Sequence, residues 1–306
     1  MSILNTFYHI MLPILIPIGI GAILHRRFKF DLNSFSKLII NYYVPALAFV
    51  KIYEAELSTK LIASVFGFLM IQFIVIVLIG YAISRVMGYS RPLAASFSNS
   101  VSLTNNGNVG IPVNALAFKQ DALAMSIQVI VVVFELFVTF TFGLLNASKT
   151  VSGLKGSLVQ FAKMPVLYAI IAGTLLRFCH IQIPDPILLP LDQIAAGMFA
   201  FALVSIGAQI ASSKLQQHTS AVLLSSFVRL ILSPICAYGL ILLLHLDGIT
   251  AQALFIASAI PTSRNSAALA LEYGNEPGFA AQAVLVSMLL SSITLTVVVN
   301  LATVLF

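Results

Sequence analysis

Apolar stretches of about 20 residues follow one another along the chain, and short polar connections separate them. A helix of about 20 residues crosses the ~30 Å hydrocarbon core of a bilayer, because each residue adds about 1.5 Å of length. The pattern therefore predicts an all-α membrane protein with ten transmembrane helices. We number these spans 1 to 10, and they cover residues 6–24, 34–52, 61–84, 92–118, 121–145, 164–180, 187–211, 218–244, 249–273 and 277–304.

Composition indicates that the lipid bilayer is the solvent of this chain. Hydrophobic residues make up 59% of the sequence and charged residues only 8%, which a soluble globular protein does not accommodate. The net charge of +6 is spread between the spans and forms no continuous basic face, so nucleic acid is not an expected partner. The five histidines and two cysteines show no metal-ligand spacing, and we expect neither a metal nor another cofactor.

The distribution of basic residues predicts the orientation in the membrane. Connections after odd-numbered spans hold ten lysines and arginines, whereas those after even-numbered spans hold four. Positively charged connections remain in the cytoplasm, so we expect a plasma-membrane protein with both termini outside. Arg26 and Arg27 follow the first apolar stretch instead of preceding it, which is the reverse of a cleavable signal and predicts that span 1 is retained.

The two halves of the chain resemble each other. Spans 4 and 9 are both interrupted by polar residues and a proline, and spans 5 and 10 are both long and uninterrupted. A repeat with an odd number of spans must insert its second copy in the opposite orientation. The sequence therefore predicts two inverted five-helix repeats, at residues 1–148 and 164–306, joined by a cytoplasmic connection at 149–163.

Span 4 contains the most informative stretch, the polar residues 98–112. Gly107, Gly110 and Pro112 break the helix at the depth of the bilayer, where irregular backbone must be buried in protein or line a wet cavity. Span 9 repeats this arrangement at Pro261. The alternative is a simple kink whose polar groups are satisfied by neighbouring helices.

If spans 4 and 9 unwind and cross, the positive amino ends of two half-helices face one point and form an anion site. The expected substrate ligands are the polar residues beside the two breaks, namely Asn105, Asn106, Asn108, Ser263, Arg264 and Asn265.

Three charged residues lie inside the predicted spans. Arg264 is costly in a bilayer and needs a partner, which is a substrate carboxylate, Glu135 or the carbonyls of span 4. Glu135 is either a counter-ion or a proton carrier, because apolar surroundings disfavour a charged carboxylate. Arg229 in span 8 is interpreted as a structural pairing residue or as one that extends toward an interface.

Four motifs carry a resemblance to a known family. They are Asn41, Pro45 and Phe49 in span 2, Asn105 to Gly110-Ile111-Pro112, Met198-Phe199-Ala200 with Gly207, and Ala259-Ile260-Pro261 with Glu272-Tyr273-Gly274. Over essentially the whole chain the sequence resembles the auxin efflux carrier family, which includes plant auxin exporters and bacterial carriers of malonate-like acids. The resemblance implies the fold of the bile acid sodium symporters, in which a scaffold part and a transport part move relative to each other.

Two departures from that family refine the expectation. The chain lacks the long cytoplasmic loop of many plant members, which indicates a compact prokaryotic-type carrier, and Arg264 in the crossover argues against sodium. We expect a secondary transporter of a small mono- or dicarboxylate, with protons as the alternative coupling ion. A sodium-coupled symporter, a channel and a ligand sensor are the rival functions, and an enzyme is not expected. The oligomeric state is left open, with a homodimer as one alternative.

Overall fold

The computed structural model describes residues 8, 12–54, 59–147, 162–212 and 219–306. Most of the predicted connection 149–163 and the beginning of span 1 lie outside these residues. The α-helices are α1 (Leu12–Phe28), α2 (Leu32–Leu38), α3 (Val44–Glu54), α4 (Thr59–Val86), α5 (Arg91–Ser102), α6 (Ile111–Ala117), α7 (Ala122–Val138), α8 (Leu144–Ala147), α9 (Pro165–Phe178), α10 (Asp185–Ser212), α11 (Thr219–Phe227), α12 (Ser233–Leu243), α13 (Gly248–Ser258), α14 (Arg264–Tyr273) and α15 (Pro277–Leu305).

Several helices are long and apolar enough to cross a membrane, which agrees with the predicted all-helical membrane protein. Within the described residues there are five of them, at Lys60–Val86, Ala122–Ala147, Asp185–Ser212, Ser220–Leu243 and Pro277–Leu305. Two shorter helices, α9 and α13, are also apolar.

In the part of the chain that the structure describes, wide π-helical turns interrupt several helical stretches. They lie at Ile39–Tyr43, Asn106–Gly110, Thr139–Gly143 and Val228–Leu232. Three of these turns end two residues before a proline, at Pro45, Pro112 and Pro234. A proline has no N–H to donate, and its ring clashes with the carbonyl four residues earlier. The widened turn relieves this clash while the helix continues.

The helices pack in two groups. The peripheral group consists of α1, α2, α3, α9 and α10, in which α1 packs along α10 and α9 packs along α3. The crossing group consists of α4–α8 and α11–α15, in which α15 contacts α5, α11, α13 and α14. The two groups meet where α3 and α10 contact α6, α7 and the turn Asn106–Gly110.

Glycines allow the closest helix approach in the peripheral group. A Cβ atom added at Gly21 of α1 would lie 2.2 Å from the backbone oxygen of Val204 on α10. One added at Gly207 would lie 1.9 Å from the backbone oxygen of Ile18. Small residues let helix backbones pack tightly in a bilayer, where apolar side chains gain little by leaving lipid.

Candidate functional site

The interruptions of spans 4 and 9 meet in the interior of the protein. Thr104 and Thr262 form an isolated antiparallel β-bridge, and both lie in extended segments between half-helices. The hydroxyl of Thr262 donates a 2.8 Å hydrogen bond to the backbone oxygen of Ser100. The predicted breaks are therefore present, and they are in contact with each other.

Two reciprocal backbone hydrogen bonds fix this crossing. The Asn105 N–H donates to the oxygen of Pro261 at 2.9 Å, and the Ser263 N–H donates to the oxygen of Leu103 at 2.8 Å. Each segment thus satisfies the backbone of the other where no helix partner exists, as the apolar bilayer core requires.

A cavity of about 230 Å³, the polar cavity, adjoins the amino ends of the second half-helices. Its polar lining consists of Asn105, Gly107, Asn108, Glu135, Ser263, Arg264 and Asn265. Its apolar lining consists of Ile39, Ile40, Val44, Val132, Leu136 and Ala268. Because α3 and the turn Ile39–Tyr43 before it supply part of this lining, the cavity lies between the two helix groups.

Two side-chain amides of the polar cavity carry unused hydrogen-bonding groups. Asn105 is only 2% exposed, and its Nδ2 has no hydrogen-bond partner among the residues that the structure describes. The same holds for Oδ1 of Asn108. A buried polar group left unsatisfied costs roughly 1–3 kcal/mol, so these atoms require a bound molecule or water.

Asn106 does not join the other predicted ligands. Its Nδ2 donates to the Thr104 hydroxyl at 2.8 Å, and Gln128 donates to its backbone and side-chain oxygens at 3.2 Å and 3.3 Å. Asn106 lines a second cavity, which Asn105 and Asn108 do not line. Gln128 was missed from the sequence because it lies in the largely apolar span 5, away from the two helix breaks.

Arg264, the first residue of α14, lies at the boundary between the two helix groups. Its Nη1 donates a 3.2 Å hydrogen bond to the backbone oxygen of Leu32, and the Asp31 carboxylate acts on it electrostatically. The side chain is half-buried and lines the polar cavity. The charged side chain that acts on Glu135 is Arg229.

Glu135 separates the polar cavity from the second cavity and contributes to the lining of both. Glu135 is 8% exposed, and its Oε2 accepts a 3.1 Å hydrogen bond from the Gly107 N–H. The second cavity has a volume of about 60 Å³. Its polar lining consists of Gln72, Ser102, Thr104, Asn106, Glu135, Arg229 and Ser258.

Arg229 is buried and bonded within the protein, so it does not extend toward an interface. It is 3% exposed. Its Nη1 donates to the backbone oxygen of Val101 at 3.1 Å, and its Nη2 donates to the Ser233 hydroxyl at 2.8 Å and to the backbone oxygen of Ser258. Ser233 itself donates to the oxygen of Ser258 at 2.9 Å.

Comparison with known proteins points to transport. Residues 149–299 match the model of a family described as membrane transport protein. An uncharacterized transporter from Methanothermobacter thermautotrophicus is 23% identical over 278 residues, which cover 87% of each chain. The uncharacterized transporter YfdV from Escherichia coli K12 is 25% identical over 274 residues, which cover 84% of this chain and 85% of the relative.

The chain has the features of a multi-pass membrane transport protein: apolar helices, two helix breaks in contact, and charged groups buried beside them. A protein of this class operates in a lipid bilayer on a transported substrate. The match to a membrane transport protein family and the two relatives named as transporters agree with the resemblance drawn from the sequence. The matched family and the relatives are transporters, not enzymes.

Proposed function

We propose that this protein is a secondary active transporter that moves a small organic anion by alternating access. The single observation that carries the proposal is the polar cavity, where Arg264, two incompletely bonded asparagines and the amino ends of two half-helices lie together. Backbone N–H groups at helix amino ends and a guanidinium group both favour an anion. A carboxylate is the biological anion whose two oxygens match the fork of an arginine.

The lining of the polar cavity favours a monocarboxylate with an apolar body. This lining combines Arg264 and the asparagines with the apolar residues Ile39, Ile40 and Val44. The Glu135 carboxyl group would repel a second carboxylate, so malonate-like dicarboxylates are the second choice. A volume of about 230 Å³ suits a small molecule rather than a bile-acid-sized one.

The proposed architecture is ten transmembrane helices in two inverted five-helix repeats. The reciprocal bonds of the two extended segments support it, because pseudo-equivalent residues of both halves exchange equivalent contacts. Alternating access would then move the crossing group relative to the peripheral group, and the polar cavity lies at the boundary between them.

For energy coupling, we favour protons or the membrane potential over sodium. Arg264 in the polar cavity and Arg229 in the second cavity both repel a bound cation. Glu135 reaches both cavities and is the residue placed to carry a proton between them. The alternative is sodium-coupled symport, which the neutral oxygen ligands around the crossing would favour if both arginines moved aside.

We further propose that the protein resides in the plasma membrane with both termini outside. In that orientation the connection containing Lys29 and Asp31 is cytoplasmic, and Arg264 extends toward it from the crossing. In that orientation, the polar cavity of this structure would lie nearer to the cytoplasmic side of the membrane.

The test is counterflow in proteoliposomes that contain the purified protein. Vesicles are loaded with one of a panel of unlabelled aliphatic or aromatic monocarboxylates, malonate or malate, and uptake of the labelled compound is followed. We expect saturable counterflow with one monocarboxylate class, unchanged when choline replaces sodium. Non-saturable flux would indicate a channel, and binding without flux would indicate a sensor. A steep dependence on sodium would establish the symport alternative.

A further inference from the structure

The first half-helices of spans 4 and 9, α5 and α13, both have their carboxyl ends at one buried side chain, Arg229. Val101 lies in the last turn of α5, and Ser258 is the last residue of α13. The backbone oxygens of both residues accept hydrogen bonds from the same guanidinium group. The first half-helix of each interrupted span thus ends at Arg229, whereas the second half-helices begin at the polar cavity.

These helix ends create a concentrated negative potential. Each helix carboxyl end carries the equivalent of about −0.5 elementary charge, and its last carbonyls lack helical partners. Glu135 lines the same second cavity and adds an acidic group. The cavity is only about 60 Å³, and water can supply little compensation in so small a space. A positive charge is therefore needed to hold the two half-helices together.

We propose that Arg229 is a built-in cation that takes the position of a bound inorganic cation at the junction of the two helix carboxyl ends. The protein then assembles its crossing without a metal ion. This inference deepens the proposed sodium-independent transport. Only its consequence for energy coupling rests on that proposed function, because its main consequence concerns the stability of the protein.

The local fold supplies the oxygen ligands that such a cation requires. Arg229 lies in the π-helical turn Val228–Leu232, and Ser233 directly follows that turn. The Ser233 hydroxyl bonds to Arg229, and its backbone oxygen accepts a 2.8 Å hydrogen bond from Gln72 of α4. Two helix-end carbonyls and one hydroxyl thus surround the guanidinium, a set of neutral oxygens that would also suit a small monovalent cation.

The experiment measures thermal unfolding of purified Arg229→Ala in detergent, in choline, sodium or guanidinium chloride at equal, millimolar ionic strength. We expect a lower melting temperature than that of the parent in choline. Guanidinium should restore several degrees in a saturable manner, and sodium should restore less. The parent and the exposed-arginine control Arg91→Ala should show no such cation effect. The proposal is overturned if no cation stabilises Arg229→Ala, or if the cations act equally on the parent and on Arg91→Ala.

A second comparison covers the case in which Arg229→Ala does not fold. Arg229→Lys retains one positive charge, whereas Arg229→Met is neutral and of similar length. The proposal requires the lysine variant to be clearly more stable, and equal stability of the two overturns it. Both measurements are independent of substrate. A failure of the proposed anion transport would therefore leave the cation result intact, and a failed rescue would leave anion transport untouched.

Discussion

The Arg264 guanidinium donates a hydrogen bond to the backbone oxygen of Leu32 at a distance of 3.2 Å, and this bond joins the crossing group to the peripheral group. The two residues begin helices α14 and α2, and the neighbouring Asp31 carboxylate also acts on Arg264. The residue that we propose to bind the substrate is thus held by the opposite helix group in this structure. An arriving carboxylate must compete with that contact, which would couple binding to relative movement of the groups.

Replacement of Arg264 should remove most of the anion affinity. A hydrogen bond to a charged group contributes roughly 1.5–3 kcal/mol, so Arg264→Ala should weaken binding at least about tenfold. Arg264→Lys should fall between this variant and the parent, because it keeps the charge and loses the planar donor fork. Calorimetry on variants whose thermal unfolding is cooperative provides the measurement. Parent-like affinity in folded Arg264→Ala would move the site elsewhere.

Neutralising Asp31 should have the opposite effect. Asp31→Asn removes a carboxylate that competes for Arg264, yet an asparagine still caps the amino end of α2 well. We expect anion affinity to increase by a few-fold with little change in melting temperature. The double variant Asp31→Asn with Arg264→Ala should bind as weakly as Arg264→Ala alone. An increase that persists in the double variant would show that Asp31 acts on another group.

Sequence reasoning found the helix breaks because their cause is local. Pro112, Pro261 and the surrounding amides cannot form a continuous lipid-facing helix, whatever the rest of the fold. The partner of Arg264 could not be found in this way, since Asp31 lies far away in the chain and resembles an ordinary connection residue. Contacts between distant elements depend on packing geometry that no local pattern encodes.

The role of Arg229 illustrates an intermediate case. Its burial in span 8 indicated a partner, but two of its acceptors are backbone oxygens, which any residue type provides. One signal was present: Pro234 predicts a disturbed turn just before it, where Arg229 lies. The carboxylate acting on Arg229 is Glu135, which the sequence offered only as one of three alternative partners of Arg264.

Two neighbouring glycines of the broken span should differ in their tolerance of alanine. A Cβ at Gly110 would lie 2.5 Å from Oδ1 of Asn106 and from Nε2 of Gln128, whereas one at Gly107 would contact only Val132, at 3.9 Å. Gly110→Ala should therefore lose roughly 1–3 kcal/mol of stability. Gly107→Ala should fold normally and weaken anion binding, because its methyl group enters the polar cavity. Thermal unfolding and calorimetry test both variants, and equal destabilisation would refute the described packing.

The same comparison is available in α1. Alanine at Gly21 would place its Cβ 2.2 Å from the backbone oxygen of Val204, whereas alanine at Gly19 would meet no atom within 4 Å. Gly21→Ala should force α1 and α10 apart and lower the melting temperature by several degrees, since backbone cannot yield as a flexible side chain does. Gly19→Ala should leave it unchanged or raise it slightly, because alanine favours the helix by about 0.5–1 kcal/mol. A similar loss in both would contradict the close contact.

The orientation can be tested with a native thiol. The chain has two cysteines, of which Cys179 is exposed just after α9 and Cys236 is half-buried in α12. The excess of basic residues in the odd-numbered connections predicts that the end of span 6 lies outside. A membrane-impermeant maleimide should therefore label the parent in intact cells, and Cys179→Ser should abolish the label.

The matched site lies on the opposite side. Met87 is 52% exposed at the end of α4, in a connection that the same rule places in the cytoplasm. On the Cys179→Ser background, Met87→Cys should react only after the membrane is permeabilised, which shows that the thiol is reactive but shielded. Labelling of Met87→Cys in intact cells, together with protection of Cys179 in the parent, would invert the orientation. The polar cavity would then face the outside in this structure, because the connection at Asp31 to which Arg264 extends would be external as well.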